Sequence, residues 1–186
     1  MRINVGALSE VATLQTHRLR LEPQSTVHFH GVWSMLHNEE GRRLTGTHTT
    51  FTEEQTRLHL EKLPLRHDRA DWAIISTADE AYLGEVVLND LDADNESMNL
   101  RIALGGNFGR GYGTEAVRAA VAYGFDQVRL HRIGLEVFAF NRRAQRVYEK
   151  CGFTREGVAR DALVWNSERL DAVQMSILAT DPRPVE

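Results

Sequence analysis

"NFGRGYGTEAVRAA" occupies residues 107–120, with glycine at 109, 111 and 113. Just past the last glycine the sequence becomes a good helix former. A glycine costs about 0.5–1 kcal/mol of backbone entropy relative to alanine. Three on alternate positions therefore predict that something approaches the backbone closely. The preceding segment NLRIAL (99–104) reads as a strand, so the glycines mark a strand-to-helix junction. Exposed N–H groups and the partial positive charge of a helix N-terminus there suit an anion such as a pyrophosphate, with Arg110 near enough to add a charge. A plain strand-to-helix turn explains the spacing equally well. Two phosphate loops are excluded: the dinucleotide fingerprint from Gly109 needs glycine where Thr114 stands, and no Gly-Lys-Ser/Thr triplet occurs.

The chain of 186 residues is long enough for one domain with a sizeable core and short for two. Its 42% hydrophobic and 26% charged residues fit a water-soluble globular protein. A formal charge of −4 argues against a nucleic-acid partner, which requires a basic face. The single cysteine, Cys151, excludes an internal disulfide framework and suits a reducing compartment. No apolar run approaches the roughly 18 residues of a membrane span, and the first residues lack a signal peptide's apolar core. A cytoplasmic protein without membrane contact is expected.

The pattern along the chain predicts an α/β domain with a mixed, largely antiparallel sheet. Residues 1–13 have weak periodicity and read as a loose arm, 14–180 as the domain and 181–186 as a tail. RLRLE (18–22) alternates like a half-buried strand. Ser25 caps a helix to about Asn38, and the polar stretch GRRLTGTHTT (41–50) reads as a connection. Thr52 with Gln55 forms a capping box opening a helix that Pro64 ends. Three strands follow (WAIIS, YLGEVVL, NLRIAL), then a helix over 114–125, the strand IGLEVFAF and a helix over 141–151. Two strands joined by the turn WNSER close the chain.

The second of these helices carries N141-R-R-A-x-x-x-Y148-E-K-C-G-F. Together with R110-G-Y-G-T-E-A, about thirty residues earlier, it resembles the GNAT superfamily of acyl-CoA-dependent N-acetyltransferases. T16-H-R-L-R-L, F51-T-E-E-Q and the closing hairpin are most like its ribosomal-protein N-terminal (Rim-type) branch, and the resemblance spans roughly residues 14 to 180.

This resemblance implies a splayed central strand pair with helices on both faces of the sheet. It further implies that the free edge of Ile102, Ala103 and Leu104 pairs with the pantetheine arm of acetyl-CoA. The loop Gly109, Arg110, Gly111, Tyr112, Gly113 and Thr114 would hold the pyrophosphate, and Asn141 would contact the cofactor beyond the splay. A primary amine, either a protein N-terminus or a small molecule such as a polyamine or antibiotic, would attack the thioester directly. Tyr148 would protonate the leaving thiolate, since a buried phenol stays neutral well above pH 7. A homodimer is compatible with the branch.

Two positions depart from the family's patterns. Phe108 stands where Gln or Arg is common in the superfamily, although an aromatic there suits the Rim-type branch. Asn99 stands where a glutamate serves as candidate base, and an amide cannot accept a proton. Glu85, in the neighbouring strand, is the substitute base; as a bare sequence position it also reads as an exposed strand glutamate. Without a strong base, the chain would favour a weakly basic α-amine over a lysine side chain. A catalytically silent acyl-CoA-binding module and a nucleotide-binding protein remain the competing readings.

No metal is expected. Asp90, Asp92 and Asp94 imitate a calcium loop, but Asn95 and Arg101 occupy the positions that need glycine and glutamate. His28 and His30, two apart on a helix, face different ways. Cys151 reads as a small packed residue.

Overall fold

The structure is a computed structural model in which residues 3–106 and 108–184 are described. Among these, eight strands form one sheet in the order β1-β2-β3-β4-β5-β6-β8-β7. The strands are β1 (Leu14–Gln15), β2 (Leu19–Pro23), β3 (Ala70–Ser76), β4 (Tyr82–Asp92), β5 (Ser97–Leu104), β6 (Arg132–Phe138), β7 (Thr154–Trp165) and β8 (Glu168–Leu178). All neighbours are antiparallel except β5 and β6. Two-residue periodicity sets their faces: Met98 and Leu100 of β5 and Ile133, Leu135 and Val137 of β6 are buried, while Asn99 and Arg101 between them are exposed.

The buried face packs on α5 (Tyr112–Tyr123) and α6 (Arg142–Lys150). Ala116, Val117, Ala120 and Val121 repeat at helical spacing along α5 and are all buried. Burying each valine stabilises by about 1.5–3 kcal/mol. A π-helical turn, Gly124–Val128, follows α5. The other face is covered over β4 by α2 (Phe29–Leu36) and α4 (Glu53–Lys62), which bury Phe29, Val32, Leu60 and Leu63 between them.

Local chemistry explains several boundaries. The expected capping box opens α4: Thr52 Oγ1 accepts the Gln55 N–H and Gln55 Oε1 accepts the Thr52 N–H. The β7–β8 turn places Asn166 and Ser167 at φ 49° and 68°, the left-handed pair that matches a hairpin's twist.

Three expectations are corrected. Residues 3–13 form no loose arm: α1 (Gly6–Ser9) buries Leu8, and the segment is pinned by hydrogen bonds that sequence periodicity cannot register, while the first two residues of the expected arm lie outside the described residues. The Asn4 N–H donates to Val128 O, Tyr123 Oη to Ala7 O, and Trp72 Nε1 to Ala12 O. The supposed connection 41–50 contains α3 (Glu39–Thr45), capped by Asn38 Oδ1 accepting the Gly41 N–H and ended by Gly46 in the left-handed region. This helix buries none of its residues, so it lacks the apolar stripe by which helices are found. Finally, the helix from Ser25 begins as a 3-10 turn, Thr26–His28, and turns α-helical at Phe29.

Candidate active site

β5 stays paired with β4 as far as Leu104, but it follows β6 only through Ser97–Arg132, Met98–Ile133 and Asn99–Gly134. Beyond Asn99 the two strands part: β6 continues along β8 and β5 along β4. The residues past the vertex, including Ile102, Ala103 and Leu104, are left with no strand on their β6 side. A cleft of about 1050 Å³ fills the opening. Asn99 sits at the vertex with its amide donating to Asp90 Oδ2, so it is committed to the strand junction.

The glycine loop closes one end of this cleft. Gly109 and Gly111 have φ of 80° and 83°, a region that glycine enters freely. A Cβ on Gly109 would meet nothing within 4 Å, so nothing among the described residues fills that space. Gly111 caps α5, and the Glu115 N–H is the first to bond within the helix, to Gly111 O. The earlier N–H groups of Tyr112, Gly113 and Thr114 have no helical acceptor. Together with the helix dipole they make an anion cradle.

Residues remote in sequence brace that cradle. Glu115 accepts hydrogen bonds from Thr16 Oγ1, the Arg18 N–H and Arg18 Nε, while Arg18 Nη1 donates to Arg110 O. The Arg18 guanidinium also lies over the Tyr112 ring, 4.8 Å from its centroid. Burial opposes ionisation of Glu115, but these donors outweigh it and hold the carboxyl below its ordinary value. Thr16 and Arg18 lie in the quoted T16-H-R-L motif, which gave no sign of this role.

Tyr148 lines the same cleft from α6, as do Asn141 and Ala144 on the helix face they share. Asn141 Oδ1 accepts the Ala144 N–H as the helix cap. Gln145 anchors the helix start by donating to the carbonyls of Phe138 and Ala139. Tyr148 is 5% exposed and packs on Phe153; its hydroxyl has no hydrogen-bond partner among the described residues. Burial pushes the phenol well above its ordinary range, with the neighbouring Cys151 adding to the effect. Cys151 is the packed residue expected: its thiol donates to Thr114 O and burial pushes it up to about 11.

Every residue expected at the cofactor thus lines one cleft with Tyr148. Glu85 does not line it. This carboxyl lies on β4 opposite Ala103 and lines an adjoining cavity of about 60 Å³ beneath α2 and α3. The two cavities share Arg101 and the Ile102–Leu104 edge, so Glu85 stands on the other flank of β5. It is half-buried rather than an exposed strand glutamate, and it accepts a hydrogen bond from Nε2 of the buried Gln24. Burial raises its affinity for a proton, with Asp71 adding to the effect, against the lowering influence of Gln24, Arg101 and Arg69.

A carboxyl whose folded pKa is raised destabilises the fold once pH exceeds its unfolded value of about 4.3. Glu85→Gln is therefore expected to match wild type in thermal stability near pH 4. It should become the more stable protein as pH climbs through the raised pKa of Glu85. Thermal melts across pH check this; a variant less stable at pH 8 than at pH 4, relative to wild type, contradicts it.

A strand pair that splays over a cleft closed by a glycine-rich helix start is the architecture of the GNAT N-acetyltransferase fold. Residues 18–154 match the sequence profile described as "Acetyltransferase (GNAT) domain", and the chain belongs to that family. It is 31% identical over 155 residues to the "Probable N-acetyltransferase YjcK" of Bacillus subtilis, covering 80% of each chain. It is 32% identical over 101 residues to the "Putative ribosomal N-acetyltransferase YdaF" of the same organism, covering 54% of this chain and 55% of that one. The crystal structure of spermidine N-acetyltransferase from Vibrio cholerae in complex with CoA and spermine superposes with a TM-score of 0.82 at 20% identity. It covers 89% of this chain and 98% of that one, and it establishes the shared fold.

Proposed function

We propose that the protein transfers the acetyl group of acetyl-CoA to a primary amine in the cytoplasm, with Tyr148 as general acid and Glu85 as general base. The observation that carries this reading is the convergence of three features on one cleft: the unpaired edge of β5, the glycine cradle and a buried phenol with a free hydroxyl. The cleft fits acetyl-CoA, since Gly109 leaves room that no side chain among the described residues fills and the α5 N–H groups await an anion. Gly109–Thr114 would hold the pyrophosphate, Ile102–Leu104 the pantetheine amides and Asn141 the far side. When bound, acetyl-CoA supplies a thioester open to direct attack by nitrogen.

The protein's own task is to handle two protons. Glu85 takes one from the incoming ammonium through a water in the small cavity, which makes the nitrogen nucleophilic. As the thioester C–S bond breaks, Tyr148 would give a proton to the departing sulfur and recover one from the nitrogen, which sheds its second proton on becoming the amide. A phenol held above its ordinary range would be a poor acid toward an exposed thiolate. In the same dry surroundings a thiolate is also more basic, as the raised Cys151 thiol illustrates. Relatives named for ribosomal and for spermidine N-acetylation support an amine acceptor.

The test is release of free CoA from acetyl-CoA in the presence of a panel of amines, with the acetylated product identified by mass. Steady turnover with at least one primary amine is expected; cofactor binding without transfer to any of them would leave a silent binding module instead. With an α-amine peptide, wild-type kcat/KM should carry a lower pKa that disappears in Glu85→Gln. If both proteins follow the acceptor's own ionisation alike, Glu85 is not the base.

A further inference from the structure

The sheet face opposite α5 and α6 carries the charged groups nearest the reacting edge. Across β4 and β5, Glu85 faces Ala103, Val87 faces Arg101 and Asn89 faces Asn99, so Arg101 is a diagonal neighbour of Glu85. The acids around this face already have partners. Asp90 accepts the Asn99 amide, Glu136 the Gln174 amide and Glu85 the Gln24 amide, and Glu156 is paired with Arg132. Arg101 differs. Its guanidinium has no hydrogen bond or ion pair among the described residues, yet it lines both the main cleft and the 60 Å³ cavity.

The small cavity adds a second, independent observation. Besides Arg101 and Glu85 it is lined by Arg42 and by the Thr45 and Thr47 hydroxyls, which are bonded to each other. Arg42 donates to the carbonyls of Thr47 and His48, neutral acceptors that leave its charge uncompensated. Arg101 acts electrostatically on Glu85, Arg42 lines the same small cavity, and burial, with Asp71 adding to it, favours the neutral form of the Glu85 carboxyl. The volume equals the liquid share of about two waters, so beside the relay water of Glu85 a carboxylate reaches in only from the main cleft, which Arg101 also lines.

We infer that this cavity is a carboxylate subsite of the acceptor pocket, in which Arg101, with Arg42 behind it, binds an acidic group carried by the amine substrate. The inference rests on the acetyl-transfer reading of the main cleft and names the acceptor's class: a primary amine bearing a carboxylate a few bonds away. Such an acceptor matches the site at both ends, its ammonium toward Glu85 and its carboxylate toward Arg101. Arginine suits the second role because its planar fork meets both carboxylate oxygens. A polyamine instead places a further ammonium against two arginines, so spermidine is expected to be a poor acceptor here.

The experiment compares acceptors matched in their amine and differing in one group. Asp-Ala-amide against Asn-Ala-amide tests a carboxylate on a peptide N-terminus. γ-Aminobutyrate against its amide tests one on a small molecule, and spermidine serves as the polycation. In at least one pair the carboxylate form should have a kcat/KM roughly 10- to 100-fold higher, the effect of a charge-assisted hydrogen-bond pair. That ratio should fall toward one in Arg101→Gln and be partly restored in Arg101→Lys. A wild-type ratio near one in both pairs, or one that survives Arg101→Gln, overturns the subsite and leaves acetyl transfer standing. Calorimetry of the preferred carboxylate acceptor with CoA-saturated protein reads the subsite without chemistry. Arg101-dependent binding there supports the subsite even if no acetyl group is transferred, and its absence refutes it.

Discussion

Replacing Tyr148 by phenylalanine is expected to preserve CoA affinity and to lower kcat by roughly 10²–10⁴-fold, the range of a lost general acid. The substitution deletes one oxygen from a residue that is 5% exposed and leaves its ring against Phe153. That hydroxyl has no partner among the described residues, so no hydrogen bond of the fold is lost with it. The thermal midpoint should therefore hold while turnover collapses, a separation that an indirect effect through misfolding would not give. Thiol release and CoA calorimetry on the same preparation measure the two sides. If turnover barely changes, the proton reaches the sulfur from another donor, and the role assigned to Tyr148 is wrong.

Gly111→Val should do the reverse and remove cofactor binding. At φ 83° a branched side chain meets the left-handed penalty of about 1–2 kcal/mol. Its Cβ would also lie 3.2 Å from Arg18 Nη2, a flexible end that can shift. The fold should survive this loss. Binding should not, because the side chain rises beside the N–H groups that start α5. Losing one or two hydrogen bonds to a charged phosphate costs about 1.5–3 kcal/mol each, so CoA affinity should fall on the order of 10²-fold. Calorimetry with CoA decides the matter: wild-type affinity in a folded Gly111→Val protein would move the phosphates elsewhere.

These two variants act on residues that the sequence already pointed out, and the reason is locality. Glycines on alternate positions, the Thr52–Gln55 capping box, the Asn141 cap and the spacing of Asn141, Ala144 and Tyr148 are all fixed within a turn or two of chain. Strand periodicity belongs to the same class, which is why β2 to β8 fall where their patterns place them. Helix α3 escaped because it has no buried face and hence no stripe to read. The arm escaped because its anchors, Val128, Tyr123 and Trp72, lie at least sixty residues away.

The sequence by itself thus determined the class of sheet, the glycine-rich start of α5 and the place of the phenol on α6, each a matter of short-range spacing and backbone preference. Only the tertiary structure decided that β5 and β6 part at Asn99. Each strand keeps its other neighbour on both sides of that point, and a missing ladder leaves no mark on either strand's own residues. Burial decided the rest. Glu85 is an ordinary strand position until α2 and α3 roof the cavity it lines; the removal of water then raises the proton affinity of the carboxyl, while Arg101 on the neighbouring strand stays exposed.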